Sequence, residues 1–245
     1  MTQNASVPIE MFLKHSLSYV SSLINLFFPR CCIICNTPLM QGEEFICTSC
    51  NMNLPRTNYH LIQDNPVERL FWGRADLVRA SSFFFYQRGS DFRKIIHQLK
   101  YAGKKEIGEV MGRYMAKEML SSDFFKDIDI IIPVPLHPIR QRERGYNQSE
   151  WIAKGISSVT GLPIDTKKLK RIKHIETQTH KTSFERWENV QHIFKLESPD
   201  DLEGKHVLII DDVLTTGATV AACISNFSTI KDIKISLLTL AIAVR

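Results

Sequence analysis

Residues 207–219 read VLIIDDVLTTGAT, and no other part of the chain is as informative. Four consecutive apolar residues at its start are typical of a buried strand in a parallel sheet. Two carboxylates, Asp211 and Asp212, follow the strand, and a helical run from Thr216 to about Asn226 follows the turn. Because ligands of open α/β sheets bind at the carboxyl ends of strands, the stretch predicts a ligand site at this point.

The order of side chains predicts a ligand with both a phosphate and a diol. A turn that begins a helix offers free N–H groups and the positive end of the helix dipole to a phosphate. Gly217 lets the backbone come close, and Thr215, Thr216 and Thr219 add hydroxyl donors. The carboxylates repel a phosphate, so they require sugar hydroxyls or a hard cation such as Mg²⁺. Ribose 5-phosphate fits this description; alternatively, the acids only cap the next helix.

This stretch resembles the phosphoribosyl-pyrophosphate (PRPP) motif of the type I phosphoribosyltransferases. The resemblance implies an α/β fold with a central parallel sheet, flanked by helices, that binds PRPP. It also implies that Asp211 and Asp212 hold the ribose hydroxyls as the catalytic acid pair. The 5′-phosphate is then expected on Thr215, Thr216, Gly217, Ala218 and Thr219.

Length and charge are compatible with this assignment. A chain of 245 residues can form one large domain and a small accessory one. The formal net charge of +5 says little, but residues 140–181 contain ten basic and four acidic residues. This excess predicts an anionic partner, either pyrophosphate or nucleic acid or both, with a solvated charged face as the alternative.

Two C-x2-C pairs, separated by eleven residues, predict a Cys₄ zinc module over residues 31–60. A segment of this size has too little core to fold without a metal. Disulfides are the alternative, and they would require an oxidising compartment. Cys31 could replace Cys32, although the spacing favours the latter. The predicted ligands are Cys32, Cys35, Cys47 and Cys50.

Residues 1–30 predict an amphipathic helix that ends before Pro29. The helix would pack on the zinc module or the main domain, or else dock to a membrane surface or a partner protein. No apolar run is long enough for a transmembrane segment, and no secretory signal is visible. We therefore expect a cytoplasmic protein without a transmembrane segment.

Further along the chain, strands are predicted over residues 77–86 and 128–134, with helices over 91–99, 105–120 and 149–160. The segment 133–138, PVPLHP, fixes the backbone where the second strand ends. An arginine-rich loop with Arg140, Arg142 and Arg144 follows. Guanidinium groups suit oxyanions held in a defined geometry, so this loop predicts an anion site, unless it is only a solvated loop.

Taken together, these motifs resemble the ComF family of bacterial phosphoribosyltransferase-like proteins, which are linked to competence and DNA uptake. The cysteine module, the PVPL…RGYNQ segment and the PRPP motif carry the resemblance, together with residues 178–194, which are similar to the family's mobile loop. The phosphoribosyltransferase-like domain is expected over residues 70–245. The resemblance implies that Mg²⁺ accompanies PRPP, that the zinc is structural, and that pyrophosphate meets Arg140, Arg142, Arg144 and Arg186.

Two functions remain open. The first is phosphoribosyl transfer to an unknown acceptor, in which pyrophosphate leaves C1 of the ribose, as in enzymes of nucleotide metabolism. The second is a non-catalytic module that binds PRPP and single-stranded DNA in natural transformation, with the competence machinery as partner. Val213 and Leu214 stand where some purine enzymes of the superfamily carry a further acid, so no general base for a nucleobase is visible.

Overall fold

The computed structural model describes residues 29–172 and 193–244. The chain divides into two units, Met1–Asn53 and Leu54–Arg245. The predicted N-terminal helix, which ends before Pro29, lies outside the described residues. The predicted mobile loop, with Arg186, also lies outside them, apart from residues 193 and 194.

In the smaller unit, the two cysteine pairs lie on two tight turns. Asn36 (φ 62°) and Gly42 (φ 87°) adopt the left-handed conformation that such turns require. The amide of Ile33 donates to the carbonyl of Phe45 at 2.8 Å and joins the two turns. Helix α1 (Thr48–Met52) follows, with the Cys47 side chain as its N-cap.

The larger unit is built on a parallel four-stranded sheet. Its strands lie in the order β1-β6-β5-β2, and an antiparallel pair, β3 with β4, is separate from them. The strands are β1 (Arg79–Tyr86), β2 (Ile130–Pro133), β3 (Leu169–Arg171), β4 (Phe194–Leu196), β5 (His206–Leu214) and β6 (Lys234–Ala243).

Helices cover this sheet. They are α2 (Pro66–Phe71), α3 (Arg93–Tyr101), α4 (Glu106–Met119), α5 (Pro138–Arg144), α6 (Gln148–Thr160) and α7 (Ala218–Ile224), with short 3₁₀ turns at Tyr59–Leu61, Asp123–Phe125, Pro199–Leu202 and Ser225–Phe227. The predicted α/β class, a parallel sheet flanked by helices, is confirmed. Among the described residues, no helix has the length and apolar character needed to cross a membrane.

The core explains why β5 is central. Residues 207–210 are completely buried between β2 and β6. An unbroken apolar run is what a strand needs when both faces of its sheet are covered. The sequence therefore makes β5 an inner strand of the sheet and brings the two acids to the carboxyl end of that strand.

Helices α4 and α6 approach each other unusually closely through two glycines. A Cβ on Gly112 would lie 2.2 Å from the carbonyl oxygen of Ile152, and one on Gly155 would lie 2.0 Å from that of Glu109. Neither glycine adopts a left-handed conformation, so the missing side chain matters only for the space that it leaves. This contact fixes α6, whose first turn carries residues of the candidate site.

Three predicted boundaries are wrong. Strand β5 does not end before the acids but continues to Leu214, because β6 is long enough to keep pairing with it. The helix after the turn is shorter than predicted and covers Ala218–Ile224. The arginine-rich segment is not a loop but helix α5, since Pro138 begins the helix and Gly145 ends it.

Candidate ligand site at the carboxyl end of the sheet

The acid pair lies on the last part of β5, and each carboxylate has a different environment. Asp211 Oδ1 accepts hydrogen bonds from the Ser149 hydroxyl at 3.2 Å and from the backbone amide of Asp212 at 2.8 Å. Burial, followed by the charge of Asp212, raises the pKa of Asp211 to about 7. Near neutral pH, Asp211 is therefore able either to donate or to accept a proton in a hydrogen bond.

Asp212 is paired with a lysine from α3. Lys100 Nζ lies 2.9 Å from Asp212 Oδ1, and the two side chains are only 20% and 13% exposed. Partial burial makes this pair stronger than an ion pair on the open surface. At the acid pair, one ammonium group thus offsets one carboxylate charge.

The turn after β5 contains a glycine in the left-handed conformation. Gly217 has φ 74° and is buried against the ring of Phe71, which a Cβ would approach at 3.0 Å. Thr215, Thr216 and Thr219 are exposed and available to a ligand.

An arginine side chain lies beside this turn. Arg74 donates from Nη1 to the carbonyl of Thr216 at 3.3 Å, which brings a guanidinium group to the predicted phosphate position. Sequence reasoning did not assign this residue to the site.

Helix α5 forms one wall of a cavity next to the acid pair. The cavity has a volume of about 490 Å³ and is lined by Lys100, Tyr101, Gly103, Arg140, Glu143 and Arg144. Positions 140, 143 and 144 share a face of the helix. Arg142 lies on another face, is exposed and does not line the cavity. Of the three arginines predicted to bind an anion, the structure therefore places Arg140 and Arg144, but not Arg142, in the lining of this cavity.

The RGYNQ segment (Arg144–Gln148) holds together the elements that carry the site. The Asn147 amide donates to the carbonyl of Val134 at 3.0 Å, while its oxygen accepts from the amide of Ser149 at 3.2 Å. Tyr146 donates its hydroxyl to the carbonyl of Leu99, beside Lys100. These buried contacts hold the end of β2, the end of α3 and the start of α6 together. The side chain of Asn147 thereby caps α6.

Arg171, at the end of β3, adds a half-buried cation near the acids. Burial lowers the pKa of its guanidinium group, while the nearby Cys223 and Asp211 raise it. Its Cζ lies 5.5 Å from the centre of the Phe194 ring, and its Nε has no hydrogen-bond partner among the described residues. In the sequence, Arg171 is recognisable only as one of the ten basic residues between positions 140 and 181.

Sequence reasoning also missed Lys100 and Ser149. Lys100 directly follows the predicted helix 91–99, and Ser149 begins the predicted helix 149–160; in the structure both residues lie in helices. Neither position has a local pattern that points to an acid pair far away in the chain. Only the tertiary fold brings their side chains to Asp211 and Asp212.

In the smaller unit, four thiols converge. The sulfur atoms of Cys32, Cys35, Cys47 and Cys50 all lie within 4.8 Å of one another. A tetrahedral zinc ion with ordinary Zn–S bonds separates its sulfurs by about 3.8 Å, so the cluster fits a metal such as zinc. Cys31 is not in the cluster, because its Sγ faces the carbonyl of Pro29.

Backbone amides donate to two of the four sulfurs. The amide of Cys47 donates to the Cys32 sulfur and the amide of Cys50 to the Cys47 sulfur, both at 3.4 Å. Hydrogen bonds with Thr37 lower the pKa of Cys35 to about 6, whereas burial and the neighbouring thiols raise the pKa of Cys50. Thiolates are the form that binds metal, so Cys35 is the sulfur best prepared to bind it, and Cys50 must lose a proton when the metal binds.

Comparison with known proteins identifies the family. No family model matches the chain. The DNA utilization protein YhgH of Shigella flexneri is 31% identical over 216 residues, which cover 80% of this chain and 89% of that protein. The competence protein ComFC of Bacillus subtilis is 26% identical over 219 residues, which cover 83% of this chain and 85% of that protein. The chain belongs to the ComF family.

Solved structures that match the chain include phosphoribosyltransferases. A hypoxanthine phosphoribosyltransferase from Staphylococcus aureus is 18% identical, with a TM-score of 0.36, over 56% of this chain and 64% of that one. An adenine phosphoribosyltransferase from Leishmania tarentolae is 11% identical, with a TM-score of 0.37, over 77% and 94%.

Proposed function

We propose that the chain binds PRPP at the carboxyl end of β5. The ribose hydroxyls donate to Asp211 and Asp212, and the 5′-phosphate binds to the turn of residues 215–219. The observation that carries this proposal is the acid pair on the strand that leads directly into a glycine turn, in which Gly217 has φ 74°. Arg74 lies beside that turn and adds positive charge.

The diphosphate of PRPP is placed in the cationic cavity. Arg140 and Arg144 line it and suit the charge and planar geometry of a diphosphate. Arg142 and Arg186 remain predicted contacts, of which the first is exposed and the second lies outside the described residues. Mg²⁺ is proposed to arrive with the diphosphate, because Asp212 Oδ1 is already paired with Lys100 and the acid pair is a poor site for a resident divalent ion.

The reaction proposed is phosphoribosyl transfer. The bond from C1 of the ribose to the diphosphate oxygen breaks, pyrophosphate leaves with the bonding electrons, and the acceptor forms the new bond to C1. The acid pair stabilises the positive charge that develops on the sugar, and the arginine wall stabilises the leaving group. No acid follows Asp212 on β5, so the strand offers no general base for a nucleobase acceptor. The acceptor is therefore left unspecified.

The second candidate is a non-catalytic module that binds PRPP and single-stranded DNA in natural transformation. The names of the relatives, a DNA utilization protein and a competence protein, favour it. On the surface, Lys105 and Lys154 lie 4.7 and 4.0 Å from the ring centre of Trp151, an arrangement that could stack on a base and hold a phosphate. Competence proteins are the proposed partners. For either function we propose that the protein acts in the cytoplasm.

Calorimetry with PRPP tests the shared premise, and the Asp212→Asn variant tests the site. We expect binding to the wild-type chain and at least about tenfold weaker binding to the variant, because a hydroxyl donates less strongly to an amide oxygen than to a carboxylate. Asp201→Asn, at an exposed carboxylate, is the control and should bind normally. Failure of the wild-type chain to bind PRPP would refute the proposal.

Pyrophosphate release then separates the two functions. Release with a nucleobase or amine acceptor, lost in Asp212→Asn, would establish the transferase. Salt-dependent binding of single-stranded DNA without release under any acceptor would establish the module.

A structural zinc ion is proposed on the thiol cluster. We expect about one zinc per chain, and chelation should unfold residues 31–50 while the sheet of the larger unit survives. Limited proteolysis and circular dichroism would show this. Cys32→Ser should lose the metal, whereas the neighbouring Cys31→Ser should keep it. Loss of the whole fold on chelation would contradict the independence of the two units.

A further inference from the structure

Lys100 occupies a position between two parts of the candidate site. Its ammonium group pairs with Asp212, and the residue also lines the cavity that holds Arg140 and Arg144. The end of α3 is held in place by buried Leu99, whose carbonyl accepts the Tyr146 hydroxyl. The core therefore fixes the position of Lys100. Its ion pair with Asp212 follows from the fold and is not a chance pairing of two surface charges.

The charges around the acid pair show what Lys100 contributes. Asp211 Oδ1 accepts from Ser149 and from the amide of Asp212, and both donors are neutral. Lys100 is the cation within ion-pair distance of these two carboxylates in the described part of the chain. The guanidinium group of Arg171 also interacts with Asp211, but Lys100 is the cation in direct contact with the pair. Without that ammonium group, the two partly buried carboxylates would repel a polyanionic ligand and would attract a divalent ion.

We infer that Lys100 is the built-in counter-cation of the acid pair and takes the place that a divalent metal ion would otherwise hold there. The ammonium group occupies Asp212 Oδ1, which leaves the remaining carboxylate oxygens to sugar hydroxyls and no room for a metal shared by both acids. For PRPP, a consequence that rests on the proposed function, Lys100 also lies where the diphosphate meets the ribose.

The acid pair itself can be tested without PRPP, by titrating the zinc-loaded full-length chain with Mn²⁺ and following free Mn²⁺ by electron paramagnetic resonance. We expect Lys100→Met to bind Mn²⁺ at least about tenfold more tightly than the wild-type chain, because removal of the ammonium group leaves two carboxylates for the metal. The double variant Lys100→Met with Asp212→Asn should lose this site. Equal Mn²⁺ affinity of the wild-type chain and Lys100→Met would overturn the inference.

PRPP binding by the zinc-loaded chain, in buffer without divalent ions or chelator and in buffer with Mg²⁺, provides the second measurement. The wild-type chain should bind in both, Lys100→Met should weaken by about tenfold without Mg²⁺ and recover in Mg²⁺, and Lys100→Arg should resemble the wild type. A merely structural role would weaken binding equally in both solutions. Lys94→Met, on the same helix, removes a lysine that pairs with Asp91 instead and should change neither measurement.

The two outcomes are distinguishable. If the wild-type chain binds no PRPP but the Mn²⁺ results are as expected, the proposed function fails and the role of Lys100 stands. If PRPP binds but Lys100→Met gains no Mn²⁺ site and needs no Mg²⁺, the role of Lys100 fails and the proposed function stands.

Discussion

Replacing Gly112 by alanine should lower the free energy of unfolding of the larger unit by about 3 kcal/mol. The new Cβ would lie 2.2 Å from the carbonyl oxygen of Ile152 and 3.1 Å from the Cα of Gly155. Both are backbone atoms of α6, so no side chain can rotate away, and the two helices must separate. Alanine is favoured over glycine in a helix by only about 1 kcal/mol, which does not offset this cost.

Gly108→Ala, on the same helix, is the matched control. A Cβ there would lie 3.0 Å from the Cβ of Trp151, 3.2 Å from the Cδ1 of Leu99 and 3.3 Å from the backbone nitrogen of Ile152, so shifts of a few tenths of an ångström relieve the contact. We expect a loss of about 1 kcal/mol or less. Urea denaturation, followed by circular dichroism and tryptophan fluorescence, measures both variants. Equal stability of Gly112→Ala and the wild-type chain would show that α4 and α6 are not as close as described.

The contrast between these glycines shows what a single sequence can reveal. The apolar run of β5 and the two cysteine pairs predict their structures because the information is local: strand burial and metal-ligand spacing are encoded in consecutive residues. Gly112 and Gly155 are ordinary glycines inside helical patterns, and only the packing of two helices shows why they are needed. The same holds for Lys100, which reads as the end of a helix.

Helix α5 illustrates a different limit. Four charged residues among Arg140–Arg144 and the surrounding prolines suggested a loop. Pro138 is, however, well suited to the first turn of a helix, and Gly145 to its end, so the same residues are compatible with both structures. The helix is decisive for the site, because it selects Arg140 and Arg144 for the cavity and leaves Arg142 out.

Replacing Asp211 by asparagine should stabilise the fold and weaken PRPP binding. The pKa of Asp211 is raised from its ordinary value to about 7 by burial and by Asp212. Between those two values, the folded chain holds a proton that the unfolded chain has released. This carboxyl group therefore makes the fold less stable as the pH rises from about 4 to about 7, and the loss is constant above that range.

Asparagine removes this titration and keeps an oxygen that can accept from Ser149 and from the amide of Asp212. The free energy of unfolding should therefore rise by roughly 1–3 kcal/mol at about pH 8, and by less at about pH 5.5. Urea denaturation at both pH values measures the difference. Asp201→Asn, at a carboxylate that is 69% exposed, is the control and should change the free energy of unfolding at about pH 8 by about 1 kcal/mol or less.

The same Asp211→Asn variant should bind PRPP at least about tenfold more weakly at about pH 8, because an amide is a poorer acceptor for a ribose hydroxyl than a carboxylate. In the wild-type chain, affinity should rise as the pH passes about 7, since Asp211 then loses its proton. PRPP titrates in this range as well, but equally for both proteins, so the ratio of the two dissociation constants isolates the protein group. The prediction would be contradicted if the ratio of dissociation constants did not change with pH and if Asp211→Asn did not change the free energy of unfolding. Asp211 would then be neither a carboxyl group with a raised pKa nor a ligand of the ribose.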